Sequence, residues 1–371
     1  MKTFHYIPIL LVLLLSACTS EELISPPEPD GQGNVTFVFK TGSELNTRTV
    51  LSGLENQQHV EKVHLYIFSG TGDAATYVGT KEIPWPNPGD VSYATTERSY
   101  SIILAPGAYT FLAIGLDDKS GATYNLPAAV ATGSTLAAAK ATLASGKTKT
   151  DIAQSELYAG YATAPNVQAS GNAAVTINLW RRVAGVLAYI KNIPDNVATI
   201  QIKLWKNQYK DVPLRKADKD NKYDISDHGN TELADSRVLM SIPVNETTKN
   251  STTVDDGHGN TVTKQAGSVL QGAFVLPVEA SEQSTTCTLT LETLDASGAI
   301  LKTYNVKVQK TTEDDGTTVD QIMTNYPMYA NHFYSIGKKN ATIDEPIPLG
   351  EDIVIRVDPM WEGISDDIPL E

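Results

Sequence analysis

Apolar residues in this chain recur mostly at every second position, in short runs bounded by Gly, Pro, Asn or Asp. Such a period of two places alternate side chains on opposite faces of a strand, so each run predicts a half-buried β-strand. The clearest are Val35-Thr36-Phe37-Val38-Phe39-Lys40, Val63 to Phe68, Tyr100 to Leu104 and Tyr109 to Ile114. Ala105-Pro106-Gly107-Ala108, between the last two, predicts a tight hairpin turn. A second series comprises Val175 to Trp180, Val186 to Ile190, Ile200 to Trp205, Phe274 to Pro277, Cys287 to Leu291, Tyr304 to Val308, Phe333 to Ile336 and Ile353 to Val357. Between these runs, the polar stretches Lys216 to Asp235 and Glu246 to Gln265 predict surface loops. One stretch breaks the pattern: Ser134 to Leu143 begins on capping residues and is rich in Ala and Leu, which predicts a short helix. No fixed-period repeat is present. The pattern predicts an all-β chain of two antiparallel β-sandwich domains in tandem, with one short helix in the first.

The N-terminus departs from this alternation. Lys2 precedes an apolar run, Ile7 to Leu15, that is too short to span a bilayer and is followed by Leu15-Ser16-Ala17-Cys18. Small residues before a cysteine fit a bacterial lipoprotein signal. The expectation is cleavage before Cys18 and acylation of its thiol, which anchors the precursor in the outer membrane. The acidic pair Glu21-Glu22 resembles the surface-export signal of lipoproteins in Bacteroidia. Ser25 to Gly33 is Pro/Gly-rich and polar and reads as a tether. The expected organisation is signal peptide 1–17, tether 18–33, N-terminal sandwich 34–177 and C-terminal sandwich 178–371.

Composition narrows the function. The net charge is −14, without a basic block, which disfavours nucleic acid as a partner. Of two cysteines, Cys18 goes to lipid, so Cys287 is expected as a small buried hydrophobe in its strand rather than a disulfide partner. The six histidines show no metal-binding spacing, and neither a nucleophile elbow nor a phosphate loop occurs. Asp218 to Asp224 has some features of a calcium loop, but Tyr223 stands where the turn needs Gly and Gly229 where a bidentate Glu belongs. His332 is expected to be structural. Trp85, Trp205 and Tyr77 could stack on sugars, though packing within the sheets is the better reading. Neither an enzyme nor a cofactor is expected.

One spacing suggests a mechanism. A tether leads into a strand, then a polar linker, Thr41 to Thr47, and then Arg48, the first arginine of the chain. Cleavage between Arg48 and Thr49 would remove lipid and first strand together. Here the chain resembles the major fimbrillins (FimA/Mfa-type, type V pilins) of Bacteroidia. The likeness rests on Gly33 to Thr41 and Arg48, Val60 to Phe68, Gly133 to Lys140, Arg181 to Val186, Asn331 to Ile336 and Ile353 to Trp361, in that order. The resemblance implies transthyretin-like sandwiches and removal of the first strand by an arginine-specific protease. It further implies polymerisation by donor-strand exchange with copies of the chain and other fimbrial subunits. Val35, Phe37 and Phe39 would fill the groove before cleavage. Ile353, Ile355, Val357, Met360 and Trp361 would form the donor segment. A fibre that supports adhesion to a host or bacterial surface receptor is the implied function. The alternatives are an anchor or accessory protein that keeps its lipid, and a surface glycan-binding lipoprotein.

Overall fold

The computed structural model describes residues 31–41, 60–85, 97–117, 119–126, 135–214, 229–255, 261–314, 317–339, 344–350 and 353–358. The first half contributes β1 (Gly33–Thr41), β2 (Lys62–Ser69), β3 (Thr76–Pro84), β4 (Glu97–Leu104), β5 (Gly107–Leu116), β6 (Tyr124–Asn125), β7 (Lys140–Leu143), β8 (Leu157–Val167) and β9 (Asn172–Arg181). The second half contributes β10 (Ala184–Lys191), β11 (Thr199–Leu204), β12 (Asp211–Pro213), β13 (Val238–Pro243), β14 (Thr253–Asp255), β15 (Thr261–Thr263), β16 (Ser268–Val275) and β17 (Leu289–Leu294). It continues with β18 (Ile300–Asp314), β19 (Thr317–Met323), β20 (Phe333–Ile336), β21 (Lys338–Lys339), β22 (Asp344–Glu345), β23 (Ile347–Pro348) and β24 (Ile353–Asp358). Among the described residues, the α-helices are single turns: α1 (Ser120–Thr123), α2 (Lys149–Ile152) and α3 (Glu246–Asn250).

The first sheet runs β3-β2-β5-β8-β9-β1-β4 and folds over on itself where β8 meets β9, at the pairs Tyr158–Arg181 and Ala159–Trp180. Gly160 permits the fold, because a Cβ there would collide with the Asn178 carbonyl oxygen. The two leaves face each other across one core. Val63, Leu65, Phe111, Ala113 and Tyr158 line one side, and Val35, Phe37, Phe39, Val175, Ile177 and Leu179 the other. In the second half the order is β13-β11-β17-β18-β24-β20-β10-β16, with β19 on β18 and β23 on β10, around a core that includes Ile200, Ile202, Leu291, Val306, Val186 and Ile336. A third core joins the halves. The outer faces of β2 and β5 (Tyr66, Phe68, Leu112, Ile114) meet those of β10 and β16 (Leu187, Tyr189, Leu270, Phe274). Beside it, β12 pairs with β7 and β7 with β6 in a small sheet drawn from both halves.

The all-β expectation stands, with four corrections. The sheets are mixed, since β1–β9, β10–β20, β10–β23 and β18–β24 are parallel pairs. The helix expected over Ser134 to Leu143 is a single 3₁₀ turn, Leu136–Ala138, followed by β7. Its amides are taken by tertiary bonds, Leu136 N–H to the Ala75 carbonyl and Ala137 N–H to that of Asp73, which override the helix propensity of alanine. The turn at Ala105 to Ala108 is not a hairpin: β4 pairs with β1, and β5 with β2 and β8, so the turn crosses from one leaf of the sandwich to the other. The polar stretch Glu246 to Gln265 is not a plain loop; it carries α3, capped reciprocally by Asn245 and Thr248, and the β14–β15 pair.

Candidate functional site

The first strand lies deep in the sandwich. β1 runs parallel to β9 from Asn34–Asn172 to Thr41–Leu179, and antiparallel to β4 from Gly33–Leu104 to Lys40–Glu97. Its period of two turns Val35, Phe37 and Phe39 inward, and each is 0% exposed. Phe37 stacks on Phe39 at 5.7 Å between centroids and meets Phe111 edge-on at 4.7 Å. Burying three such side chains stabilises the fold by about 1.5–3 kcal/mol apiece. On the outer face, Thr36 Oγ1 lies 2.9 Å from Ser101 Oγ, and Lys40 pairs with Glu97 at 3.2 Å. The start of the strand is pinned to the β8–β9 turn: Asn34 N–H donates to Gly171 O and Ser170 N–H to Gln32 O, both at 2.8 Å. Gly33 fits there because a Cβ would strike the Gln168 carbonyl oxygen. Cys18, Arg48 and Thr49 lie outside the described residues.

At the other end of the chain, β24 occupies a slot of the same polarity. It is parallel to β18 (Val306–Ile353 to Gln309–Arg356) and antiparallel to β20 (Tyr334–Val357, Phe333–Asp358). Ile353 and Ile355 are buried in the second core, 3% and 4% exposed, while Val354 faces out at 45%. Val357 lies in the strand, and Met360 and Trp361 lie outside the described residues. Both ends of the chain therefore supply an inner strand, flanked on one side by a parallel neighbour and on the other by an antiparallel one.

The hinge of the first sandwich rests on buried charge. Arg181 Nε donates to Glu156 Oε1 and Tyr158 OH to Glu156 Oε2, both at 2.9 Å, with Arg181 and Glu156 wholly buried. The guanidinium also sits over the Tyr158 ring. Asp117, close by, accepts the Glu156 amide and caps α1 through the amides of Lys119 and Ser120. Burial, reinforced by Glu156, pushes its carboxyl up to about 7. The ion pair ties β8 to β9 where the two leaves of the sandwich join. Its members carry no local sequence signal, because they are distant in sequence.

Other sequence candidates fall elsewhere. Cys287 is half-buried just ahead of β17 rather than within it, its Sγ donating toward Leu289 O at 2.9 Å; burial pushes the thiol up. Trp85 and Tyr77 are buried in the cores. Trp205 donates its Nε1–H to Glu279 O, and Lys206, held by Glu279 and Tyr209, lies over its ring. His332 Nδ1 lies 2.8 Å from Ala330 O, beside the Tyr329 ring. Asp218 to Asp224 lies outside the described residues. Among the described residues there is no cluster of three or more metal-ligating side chains, and no helix is long and apolar enough to cross a membrane.

Residues 27–209, just under half of the chain, match the family described as fimbrillin-A associated anchor proteins Mfa1 and Mfa2. No curated protein matches the chain. Among solved structures, it is similar to a fimbrilin (FimA) of Porphyromonas gingivalis W83 at 12% identity, covering 88% of this chain and 97% of that one, with a TM-score of 0.42. The tip fimbrial protein Mfa3 of P. gingivalis is 10% identical over 84% of this chain and 97% of its own, with a TM-score of 0.36. The fimbrial anchor protein Mfa2 of the same species is 16% identical over 80% and 99%, with a TM-score of 0.35. The family match over residues 27–209 carries the likeness. The chain resembles the FimA/Mfa-type fimbrillins.

Proposed function

We propose that the protein is a structural, non-enzymatic subunit of a cell-surface fimbria, exported as a lipoprotein acylated at Cys18 and cut between Arg48 and Thr49. Excision takes β1 out of its slot, and an extended segment of a neighbouring subunit fills the vacancy by strand addition. The observation that carries this reading is the seat of β1. Val35, Phe37 and Phe39 are fully buried on a strand connected to the rest of the chain through the segment that holds Arg48. Without β1 the inner face loses three large side chains, and both β9 and β4 have unpaired backbone groups, an arrangement that favours capture of another strand. In sequence terms the donor is Ile353, Ile355 and Val357, continued by Met360 and Trp361. β24 runs between a parallel and an antiparallel neighbour, as β1 does. The two halves are read as tandem domains, 34–177 and 178–371, with the change of sheet just past that boundary, between Arg181 and Ala184. Mature fibres are placed outside the cell, where they support adhesion.

A second reading is favoured by the anchor proteins named in the family match. In that case the chain keeps its lipid and β1 and holds a fimbria to the outer membrane. Mass spectrometry of the N-terminus of protein recovered from the native cell surface separates the two. A start at Thr49 supports the polymerising subunit; a lipidated Cys18 as the sole N-terminus overturns it in favour of the anchor.

A further inference from the structure

β4 is attached to its sheet through β1 alone. In the strand order β9-β1-β4 it is the edge strand, and no other strand pairs with it among the described residues. It buries less than its neighbours: Ile102 is its one buried hydrophobe, with Tyr100 and Leu104 partly buried against the core, whereas β9 buries Val175, Ile177 and Leu179 and continues into the Arg181–Glu156 ion pair. Two of its side-chain ties, Ser101 to Thr36 and Glu97 to Lys40, also end on β1. Toward the opposite leaf, among the described residues, the polar tie is from Arg98 Nε to the Pro84 carbonyl at 3.3 Å. At its far end the strand is fixed. Leu104 to Gly107 crosses to β5, Tyr109 OH donates to Ala105 O at 3.0 Å, and Gly107 supplies the left-handed backbone of the corner (φ 155°).

We infer that β4 is a hinged flap that forms the outer wall of the β1 slot and turns about the Leu104–Gly107 corner. With β1 seated, the flap is closed. Once β1 leaves, β4 keeps no strand partner and swings away from the core. A donor strand then enters from the side and lays down its ladder with β9 first, rather than threading lengthwise past two paired neighbours. β4 closes last and seals the exchanged strand. The role in exchange rests on the reading that β1 is removed; the flap itself is a property of the intact chain.

Backbone direction makes the flap testable without cleavage. Asn34 N–H points to the β9 side, so the amides of Thr36, Val38 and Lys40 do too, and those of Val35, Phe37 and Phe39 point to β4. A flap that opens by itself exposes only the second set. Residue-resolved hydrogen exchange on the full-length chain is expected to show Val35, Phe37 and Phe39, with Arg98, Tyr100 and Ile102 opposite them, exchanging about tenfold or more faster than Thr36, Val38 and Lys40. Arg98→Ala, which removes the tie to Pro84, is expected to raise the first set severalfold and leave the second unchanged. Equal rates for the two sets of β1 amides, or an equal rise of both in Arg98→Ala, overturns the flap. Failure of the underlying reading shows separately: a lipidated Cys18 as the sole cell-surface N-terminus leaves the exchange pattern intact.

Discussion

Phe37 and Phe111 meet edge to face across the first core, 4.7 Å between ring centroids, although they belong to opposite leaves of the sandwich. This contact joins the strand nearest the N-terminus to the centre of the other leaf. Phe37→Ala removes it and leaves a cavity the size of a ring in a fully buried site. Urea unfolding is expected to show a loss of about 3–5 kcal/mol. A loss below about 1 kcal/mol would mean that β1 contributes little to the intact fold.

Thr36 and Ser101 stand directly opposite each other in a pair whose amides point away, the arrangement in which side chains come closest. Cysteines at both positions, in a Cys287→Ser background, are expected to form a disulfide. Oxidised protein cut at Arg48 should keep its first strand on a non-reducing gel and form no polymer, and a reductant should restore assembly. Polymers from the oxidised, cut protein would show that β1 need not leave.

Arg181→Met strands the Glu156 carboxylate in a wholly buried site. Removing one partner of such a pair costs about 3–5 kcal/mol. The loss is pH-dependent, and its sign follows from linkage. A carboxyl raised in the folded state favours folding below its unfolded pKa, near 4, and this contribution is lost as pH rises through the folded value. Asp117, already raised to about 7 beside Glu156, makes the wild type follow this course between pH 4 and 7. Without Arg181 the Glu156 carboxyl joins it. Denaturation at pH 5 and pH 8 should therefore show a larger deficit for the variant at pH 8. An equal deficit at both would mean that Glu156 is not ionised beside Arg181.

Gly160 lets the β8 backbone approach the Asn178 carbonyl of β9, where a Cβ would sit 1.9 Å from the oxygen. Gly160→Val must push the leaves apart at the β8–β9 junction, their one ladder contact among the described residues. The expected cost is about 1–3 kcal/mol or more, read from the thermal midpoint. It should come with faster exchange of the β1 amides, since the displaced β9 is also the parallel partner of β1. Unchanged exchange in a destabilised variant would separate the hinge from the slot.

Much of the architecture was legible in the sequence, and the losses have specific causes. The runs at Val35, Val63, Tyr109, Val186, Ile200 and Ile353 all lie in strands; a period of two survives where one face is buried, as in β1 and β11, while β5 and β10, buried on both faces, read as near-continuous apolar runs. Among the longer strands, β3, β8, β13 and β19 are not among the expected runs. β3 is mostly exposed along its length, and β8 is interrupted by Gly160, Thr163 and Pro165, so neither offers a clean alternation. The Ala-rich stretch after Ser134 misled for the opposite reason. Its local preference is helical, but amides committed to Ala75 and Asp73 leave it as a turn and a strand.

The alternation of Val35, Phe37 and Phe39 by itself determined that one face of the first strand is buried, since side-chain direction is fixed by backbone geometry. The Ile353, Ile355 and Val357 run fixed the strand near the C-terminus in the same way. What the tertiary structure decided is who the neighbours are. That β1 lies between β9 and β4, that β4 has no other strand partner among the described residues, and that β24 is seated between β18 and β20 could not be read from the pattern. Backbone N–H and C=O groups are the same at every residue but proline, so the ladder itself carries almost no sequence code. Pairing is settled only when distant faces such as those of Phe37 and Phe111 pack together, and buried partners such as Glu156 and Arg181 meet.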